Sequence, residues 1–432
     1  MSVLKELRFL HTLNKNQWKN IKELRDIQNK KIRTIVNYAY ENVPFYHNLL
    51  KNENIHPSEI KTRKDLNKIP LVSKKDLKEN YPNNIISEEI NLKKCIIWNT
   101  SGSTGIPLNI PYNKIANDYA RAVIARSYIS NGLKYFDKWC VIGSPDYQKQ
   151  KFKGYSVIRK LRLLAPLYIS VFASVEEKVK ILKKFKPRVI DSLPTDLFLI
   201  TKYIEKNKID DIKPKIITTN GEILDNYVRK YIEDYFVLKI SDMFGCFELR
   251  RTAWECPNHE GYHIDIDSIV MQFIKNGEEV SFGEEGNIVY TGLYNQAMPL
   301  IRYDIGDIGT PLEEMCSCKR GLPLMKITGG KIMDFLTTVD GNLISPHVPK
   351  EFIASMPSVH MFKLTQIKKD LINIQIVKND IYNKNFEERL RIGLKKILGK
   401  ELQIKIVYVK ELGRDKNKYK VIESKIPFKI LK

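Results

Sequence analysis

Between residues 95 and 220, short apolar runs alternate with segments of helical spacing. The apolar runs are CIIWN, KWCVIG, RVIDSL and KIITTN, and the helical segments between them include residues 114–131 and EEKVKILKKF. This order is typical of strand–helix units arranged around a mostly parallel sheet. We therefore predict an α/β fold.

The pattern changes after about residue 262. Period-two runs, HIDIDSIVMQFI and GNIVYTGL, predict antiparallel strands and hence a second, β-rich subdomain. The last hundred residues run KLTQIKKDLINIQIV, a helical FEERLRIGLKKIL and LQIKIVYVK, which is the strand–helix–strand order of a small α+β domain.

The amino-terminal part predicts helices. Residues 16–50 place apolar side chains at helical spacing and end at the ENVPFY turn. With the later patterns, this predicts two domains, a large one over residues 1–330 and a small one over residues 331–432.

The 432-residue chain is strongly basic, with 72 basic and 50 acidic side chains and a net charge of +22. Such a balance fits nucleic acid, an anionic membrane or phosphorylated small molecules. No basic stripe with stacking aromatics is visible, so nucleic acid is not expected as a partner. The start, MSVLKELRFLHTLNK, lacks a signal-peptide core, and no stretch approaches the roughly 18 apolar residues of a membrane span. We therefore expect a cytoplasmic protein without a transmembrane segment.

Cysteines are concentrated in the second half of the chain. In a reducing compartment, clustered thiols indicate metal binding or catalysis more often than disulfides. Cys256, His263, Cys316 and Cys318 together supply the Cys₃His set that structural zinc prefers. His259 is the alternative imidazole, and buried free thiols are the alternative to a metal site. We predict a structural zinc site that joins the β-rich subdomain to the segment that follows it.

The densest group of small polar residues is TSGSTGIP, residues 100–107, directly after CIIWN. Its hydroxyl side chains and glycines are Ser101, Gly102, Ser103, Thr104 and Gly105. Such a loop wraps a phosphate with hydroxyls and backbone N–H groups, and the alternative is an ordinary Gly/Ser turn. A Walker loop is excluded because it needs a lysine after its second glycine, where Ile106 stands here.

With this loop, the sequence resembles the adenylate-forming superfamily, specifically its phenylacetate-CoA ligase-like branch that includes CapK proteins. IVNYAYENVPFYHNLL and IPLVSKKDL match the start of that branch, and TSGSTGIP matches the phosphate loop. The resemblance covers nearly the whole chain. It implies a large, multi-subdomain amino-terminal adenylation domain with parallel sheets and a β-rich subdomain, followed by a small, mobile α+β carboxy-terminal lid.

Three further segments resemble nucleotide-binding motifs of this family. TTNGEIL resembles the adenine segment, with Asn220 in place of a glycine, then Gly221 and Glu222. SDMFGCFE resembles the segment that usually ends in YGxTE. It implies that Phe244 and Gly245 contact adenine and that Glu248 holds Mg²⁺.

The third segment, PLIRYDIGDIG, resembles the ribose-binding motif. Its final aspartate binds both ribose hydroxyls in the family, which selects Asp307 rather than Asp304.

Two segments depart from the family pattern. Lys331, in TGGKIMDFL, replaces the arginine that reaches the ribose, which keeps the charge and loses the planar fork. The catalytic lysine is assigned to Lys418 in KNKYKVIESK, with Lys416 and Lys420 as open alternatives.

The resemblance implies an ATP-dependent, AMP-forming carboxylate ligase, with Lys418 and Glu248 as catalytic residues. ATP and Mg²⁺ would serve the adenylation step, and coenzyme A would be the most common acyl acceptor, although an amine of a sugar or a deazaflavin stays open. DSLPTDLFLI, residues 191–200, would line the acyl pocket, and a plain helix start capped by Ser192 or Thr195 is the alternative. A different hypothesis, motivated by Lys331, Asn220 and Asn417, is a catalytically silent or acceptor-divergent CapK-like protein in surface-polysaccharide assembly.

Overall fold

The structure is a computed structural model that describes residues 3–99, 108–143, 166–329, 335–344, 346–356, 358–378, 385–410, 412 and 421–426. Its α-helices are α1 (Val3–Asn16), α2 (Ile21–Asn42), α3 (Pro44–Asn52), α4 (Lys74–Glu79), α5 (Lys114–Ser130), α6 (Val175–Phe185), α7 (Pro194–Lys206), α8 (Asn226–Phe236), α9 (His347–Ala354) and α10 (Asn385–Leu398). Within the described ranges, no helix is long and apolar enough to cross a membrane.

The strands follow the same chain order. They are β1 (Ile96–Asn99), β2 (Asn109–Tyr112), β3 (Trp139–Gly143), β4 (Leu167–Ser170), β5 (Val189–Ser192), β6 (Ile216–Asn220), β7 (Ile240–Cys246), β8 (Arg250–Glu255), β9 (Tyr262–Ile264), β10 (Ile269–Lys275), β11 (Glu278–Glu279), β12 (Gly286–Gly292), β13 (Tyr303–Pro311), β14 (Leu324–Gly329), β15 (Leu336–Thr337), β16 (Leu343–Ile344), β17 (Val359–Lys368), β18 (Leu371–Lys378), β19 (Gln403–Tyr408) and β20 (Ile422–Ser424).

The amino-terminal helices form as the apolar spacing predicts. Asn20 and Glu23 form a capping box that starts α2, since each side chain accepts from the other residue's backbone N–H. Pro44 then occupies the first position of α3, where its missing N–H costs no helical hydrogen bond. The turn predicted at ENVPFY is therefore a break between two helices.

A 12-stranded mixed sheet forms the centre of the molecule, in the order β11-β10-β12-β13-β14-β9-β8-β7-β6-β5-β3-β4. Strands β3 to β7 pair in parallel, and β7 to β14 pair antiparallel. This confirms the predicted α/β class. The predicted β-rich part is continuous with the parallel part, because β8 hydrogen-bonds to β7.

The predicted strand CIIWN lies outside the parallel sheet. It forms β1, which pairs antiparallel with β2 in a separate two-stranded sheet, and Asn99 pairs with Asn109. The Tyr112 hydroxyl donates to the Glu248 carbonyl at 2.8 Å, and Asn295 Nδ2 donates to the Pro111 carbonyl at 3.1 Å. The two-stranded sheet of β1 and β2 is therefore fastened to the large sheet.

Both faces of the parallel strands are covered. On β5, Val189 packs into one hydrophobic cluster and Ile190 into another, on the side of α6, α7 and α8. Burial on both faces explains why these strands read as continuous apolar runs in the sequence.

The carboxy-terminal residues form a second, four-stranded sheet in the order β19-β18-β17-β20. With α10 they enclose their own apolar core, which includes Phe362, Ile374 and Leu390. The run KLTQIKKDLINIQIV is a hairpin of two strands, β17 and β18, rather than one. The proposed boundary between residues 330 and 331 lies outside the described residues, so the division into two domains stays a prediction.

Candidate functional site

The adenine-like segment lies at the carboxyl end of β6, where ligands bind in open parallel sheets. Asn220, its last residue, donates from Nδ2 to Asp191 Oδ2 at 2.9 Å. Gly221 has a φ of +80°, and a Cβ there would lie 2.9 Å from Leu193 Cδ2. Glycine is therefore required at the turn that follows Asn220.

Glu222 points back toward the start of α7. The backbone N–H and the hydroxyl of Thr195 donate to its Oε2 at 3.1 Å and 2.7 Å. Burial nevertheless raises the pKa of Glu222 to about 7. Helix α7 begins after Leu193 without a side-chain cap, so neither Ser192 nor Thr195 has the capping role considered for it.

Phe244 and Gly245 lie at the end of β7, opposite a bulge in the pairing with β8. A Cβ on Gly245 would lie 2.0 Å from the carbonyl oxygen of Arg250, so only glycine permits this backbone contact. The half-buried Phe244 ring meets Tyr262 edge-on, with 6.4 Å between ring centroids. The position of the Phe244 ring therefore depends on β7, which carries it, and on β9, which carries Tyr262.

Glu248 is buried and has two side-chain partners. The Tyr303 hydroxyl donates to its Oε1 at 3.1 Å, and Lys74 Nζ lies 3.7 Å from the same oxygen. No described residue donates a hydrogen bond to Oε2. Lys74 belongs to the IPLVSKKDL motif and begins α4. The motif is visible in the sequence, but nothing in it indicates that its first lysine lies next to Glu248.

Asp307 lies on β13, the strand from which Tyr303 donates to Glu248 Oε1. Burial raises the pKa of Cys246 well above its usual range, and the negative charges of Glu248 and Asp307 raise it further. Asp304, the rejected alternative, instead accepts a hydrogen bond from the backbone N–H of Gly306 at 2.8 Å.

The amino-terminal helical region supports β13. The backbone of Val72 accepts from Asp304 N and donates to Arg302 O, both at 2.9 Å, and the Tyr46 hydroxyl accepts from Ile301 N at 2.9 Å. The two amino-terminal motifs of the sequence therefore hold the strand that carries Asp307.

Arg250 joins this region to the two-stranded sheet of β1 and β2. Its guanidinium lies 3.6 Å from the centre of the Trp98 ring on β1, and its backbone has a φ of +64°. Sequence analysis does not identify this contact, because the two residues lie far apart in the chain.

Several predicted site residues lie outside the described residues. They are Ser101, Gly102, Ser103, Thr104, Gly105, Lys331 and Lys418, together with Lys416 and Lys420. Their roles stay predictions.

The structure brings the four predicted metal ligands together. The ligand atoms of Cys256, His263, Cys316 and Cys318 all lie within 4.8 Å of one another. Cys256 Sγ is 3.6 Å from Cys316 Sγ, and Cys318 Sγ is 3.4 Å from His263 Nε2. Tetrahedral zinc with ordinary bond lengths would separate two sulfurs by about 3.8 Å and a sulfur from a nitrogen by about 3.6 Å. The spacing therefore fits one metal ion.

Backbone groups orient these ligands. His263 Nδ1 lies 3.3 Å from the Leu322 carbonyl, which directs Nε2 toward the thiols. The N–H groups of Asn258 and Cys318 approach the sulfurs of Cys256 and Cys316 at 3.4 Å and 3.5 Å. His259 lies apart from the cluster, with Nδ1 3.7 Å from Glu255 Oε2.

Sequence comparisons relate the chain to phenylacetate-coenzyme A ligases and to CapK. It is 25% identical to the Thermus thermophilus phenylacetate-coenzyme A ligase, covering 78% of this chain and 76% of the relative. It is 27% identical to the Aromatoleum evansii phenylacetate-coenzyme A ligase (81% and 79%) and 26% identical to the protein CapK of Staphylococcus aureus (85% and 80%). No family model matches the chain.

Solved structures show the same fold. A 2-hydroxyisobutyryl-CoA ligase in its thioesterification state, with 2-HIB-AMP and CoA, matches with a TM-score of 0.65 at 19% identity, over 93% of this chain and 90% of that one. The same ligase in its postadenylation state matches with a TM-score of 0.62 at 18% identity, over 91% and 88%. These comparisons confirm the resemblance predicted from the motifs.

Proposed function

We propose that this chain, a relative of the phenylacetate-coenzyme A ligases and CapK, is an ATP-dependent, AMP-forming ligase that joins a carboxylic acid to coenzyme A. The observation that supports it best is the hydrogen bond from Tyr303 to Glu248, which brings Glu248 next to the strand that carries Asp307, while β7, which precedes Glu248, pairs with the strand that leads into the adenine-like segment. The curated relatives, which align over about four fifths of the chain, supply the reaction class.

The reaction has two steps. A carboxylate oxygen attacks the α-phosphorus of ATP, and pyrophosphate leaves. The sulfur of coenzyme A then attacks the acyl carbon, AMP leaves and the thiol proton passes to solvent. The first step concentrates negative charge at phosphorus, so the site must supply positive charge or N–H donors there.

The predicted site residues would have separate roles in binding ATP and in catalysis. Asp307 would accept hydrogen bonds from the ribose hydroxyls, and the Phe244 ring and the backbone around Gly221 would contact adenine. Ser101, Ser103 and Thr104 would bind the polyphosphate, Lys331 would approach the ribose, and Lys418 would bridge the carboxylate and the α-phosphate. These roles rest on the motifs that carry the residues.

Glu248 fits a role in magnesium binding. Its Oε1 is held by Tyr303 and Lys74, while Oε2 receives no hydrogen bond from the described residues. A hard divalent cation prefers such a carboxylate oxygen together with substrate phosphates. Bound Mg²⁺ would offset charge on the phosphates, and Lys74 would keep Glu248 in one orientation.

The Cys₃His cluster would bind structural zinc. Three thiols and one imidazole close a tetrahedral site with no position left for substrate. Cys256 follows β8, His263 lies on β9, and Cys316 and Cys318 lie between β13 and β14. The metal would therefore tie together loops of the antiparallel half of the sheet.

ATP–pyrophosphate exchange with a panel of carboxylic acids, with coenzyme A omitted, tests the proposal. We expect exchange that depends on the acid, and thioester formation when coenzyme A is added. ATP binding without exchange for any acid would instead favour the catalytically silent alternative. GTP should support exchange less well than ATP if Phe244 and the Gly221 backbone recognise adenine.

A further inference from the structure

A buried polar cluster lies between the parallel sheet and α5, beside the proposed nucleotide site. We call it the β5–β6 polar cluster. Its members are Tyr128, Trp139, Asp191, Thr218 and Arg251, each more than nine-tenths buried. The reaction as proposed above gives these side chains no role.

Asp191 is the centre of the cluster. It accepts from Thr218 Oγ1 at 2.7 Å and from Asn220 Nδ2 at 2.9 Å. Asp191 and Thr218 are paired residues near the carboxyl ends of β5 and β6. Because Asn220 directly precedes Gly221, the cluster is continuous with the adenine-like segment.

Two donors in the cluster lack acceptors. Arg251 Nη2 donates to the Tyr128 hydroxyl at 3.3 Å, but neither Arg251 Nε nor Trp139 Nε1 has a hydrogen-bond partner within the part of the chain that the structure describes. The Trp139 and Tyr128 ring centroids are 4.5 Å apart, so both donors lie around one tyrosine. An unpaired buried donor costs about 1–3 kcal/mol, which favours a ligand that brings an acceptor.

The charges in the cluster restrict that ligand. Burial raises the pKa of Asp191, and the positive charge of Arg251 counteracts only part of that rise. Arg251 would repel a ligand amine, and a ligand carboxylate would face Asp191, a buried acid whose ionisation is already disfavoured. A hydroxyl group carries no charge, accepts from Arg251 or Trp139, and donates a hydrogen bond of its own.

We propose that the acid activated by this chain is a hydroxy acid whose hydroxyl group binds in the β5–β6 polar cluster. The position fits, since residues 191–200 were expected to line the acyl pocket and Asp191 and Asn220 connect this segment to the nucleotide site. This inference rests on the proposed ligase function.

The first test uses the full-length chain and acids that differ by one group. ATP–pyrophosphate exchange is measured with phenylacetate and its 2-, 3- and 4-hydroxy derivatives, and with butyrate, 3-hydroxybutyrate, 3-aminobutyrate and succinate. At least one hydroxy acid should exceed its parent acid in kcat/KM by about tenfold or more, because a site built for a hydroxyl group rejects the analogue that lacks it.

Each other outcome is decisive. Equal or better exchange with the parent acid overturns the hydroxy-acid inference and leaves the ligase function standing. A preference for the amino acid or the dicarboxylic acid does the same. Exchange with none of the acids overturns the proposed function, and the inference with it.

Substitutions in the β5–β6 polar cluster test whether these side chains cause the preference for a hydroxy acid. Arg251→Met removes both the charge and the unpaired donor, and Tyr128→Phe removes a single oxygen. Either change should reduce the hydroxy-to-parent ratio of kcat/KM by about tenfold, while the KM for ATP stays within about twofold. Thr201→Val, which removes a buried hydroxyl from α7, is the matched control and should keep the wild-type ratio.

A merely structural cluster would give a different result. The variants would then lower kcat/KM for both acids by the same factor, together with the melting temperature, and the inference would be wrong. If Arg251→Met does not fold, Tyr128→Phe alone decides, because it retains the aromatic ring that packs on Trp139.

Discussion

The cysteine–histidine cluster and the nucleotide side of the sheet are assembled in different ways. The four proposed metal ligands come from segments 256–263 and 316–318 in the antiparallel half of the sheet, and their ligand atoms lie within 4.8 Å of one another. Glu248 and Asp307, in contrast, are held by helices, a hairpin and distant strands, through Lys74, Tyr303 and Val72. The proposed metal site therefore depends on two neighbouring segments of one sheet, whereas the proposed nucleotide site depends on how several elements pack.

Burial of an ionisable side chain changes its pKa in opposite directions in the two regions. In the metal cluster, burial lowers the pKa of His263 to about 4, which leaves the imidazole neutral and able to bind a metal. At the nucleotide side, burial raises the pKa of Glu222 to about 7. Burial thus disfavours the charged form of both groups, which leaves His263 neutral at ordinary pH and keeps Glu222 protonated to a higher pH.

Removing a metal ligand should have the largest effect on stability. Cys316→Ser should reduce the zinc content from about one ion per chain to none and lower the free energy of unfolding by on the order of 5 kcal/mol, since metal binding is part of the folding free energy. Metal analysis and thermal unfolding measure both quantities, and ATP affinity should change less. Cys95→Ser is the control. If wild-type protein that was never exposed to a chelator contains no zinc, the proposed metal site is contradicted.

Removing the predicted catalytic lysine should affect one half-reaction only. Lys418→Ala should slow adenylation by roughly 10²–10³-fold, because a positive charge directed at the transition state is lost. A supplied acyl-adenylate should still be converted to the thioester.

Lys416→Ala and Lys420→Ala serve as controls for the loss of basic charge. Sensitivity at one of these positions instead would move the assignment and keep the mechanism. If all three variants adenylate normally, the proposed ligase mechanism is contradicted.

Removing the predicted ribose ligand should weaken ATP binding. Asp307→Ala loses charge-assisted hydrogen bonds worth about 1.5–3 kcal/mol each, so ATP should bind at least about tenfold more weakly. Calorimetry measures the affinity, and Asp304→Ala on the same strand is the matched control. Equal affinity of the Asp307 variant and the wild type would exclude Asp307 from the site.

The smallest expected effect is a pH dependence that comes from Glu222. Its pKa rises from 4.5 to about 7 in the folded chain. The folded state then binds more protons between these values, so stability falls as pH rises through this window. Glu222→Gln should remove about 1–3 kcal/mol of that fall.

Denaturant unfolding of the nucleotide-free protein from pH 4.5 to 8 measures this effect. Glu176→Gln, a substitution at an exposed position, should keep the wild-type slope. A Glu222 variant with an unchanged slope would show that the burial of this carboxylate has no effect on folding.

Much of the fold follows from local patterns. The spacing in residues 16–50 correctly predicts α2 and α3, and the apolar runs at 138–143, 188–193 and 215–220 correctly predict β3, β5 and β6. The strand CIIWN was assigned to the wrong sheet, because an isolated apolar run does not specify its partner. The period-two runs predicted strands but not their continuity with the parallel strands. That continuity comes from the pairing of β7 with β8, which forms only in the folded chain.

The sequence by itself determined which residues have the chemistry for a metal site and a nucleotide site. Ligand type and motif are properties of the residues, and the three thiols of Cys256, Cys316 and Cys318, with a nearby imidazole, could be selected on that basis alone. Only the tertiary structure decided that His263 rather than His259 joins the thiols, and that Lys74 and Arg250 contact Glu248 and Trp98 respectively. The physical reason is distance, because these contacts join residues far apart in the chain and arise only when the strands and helices pack.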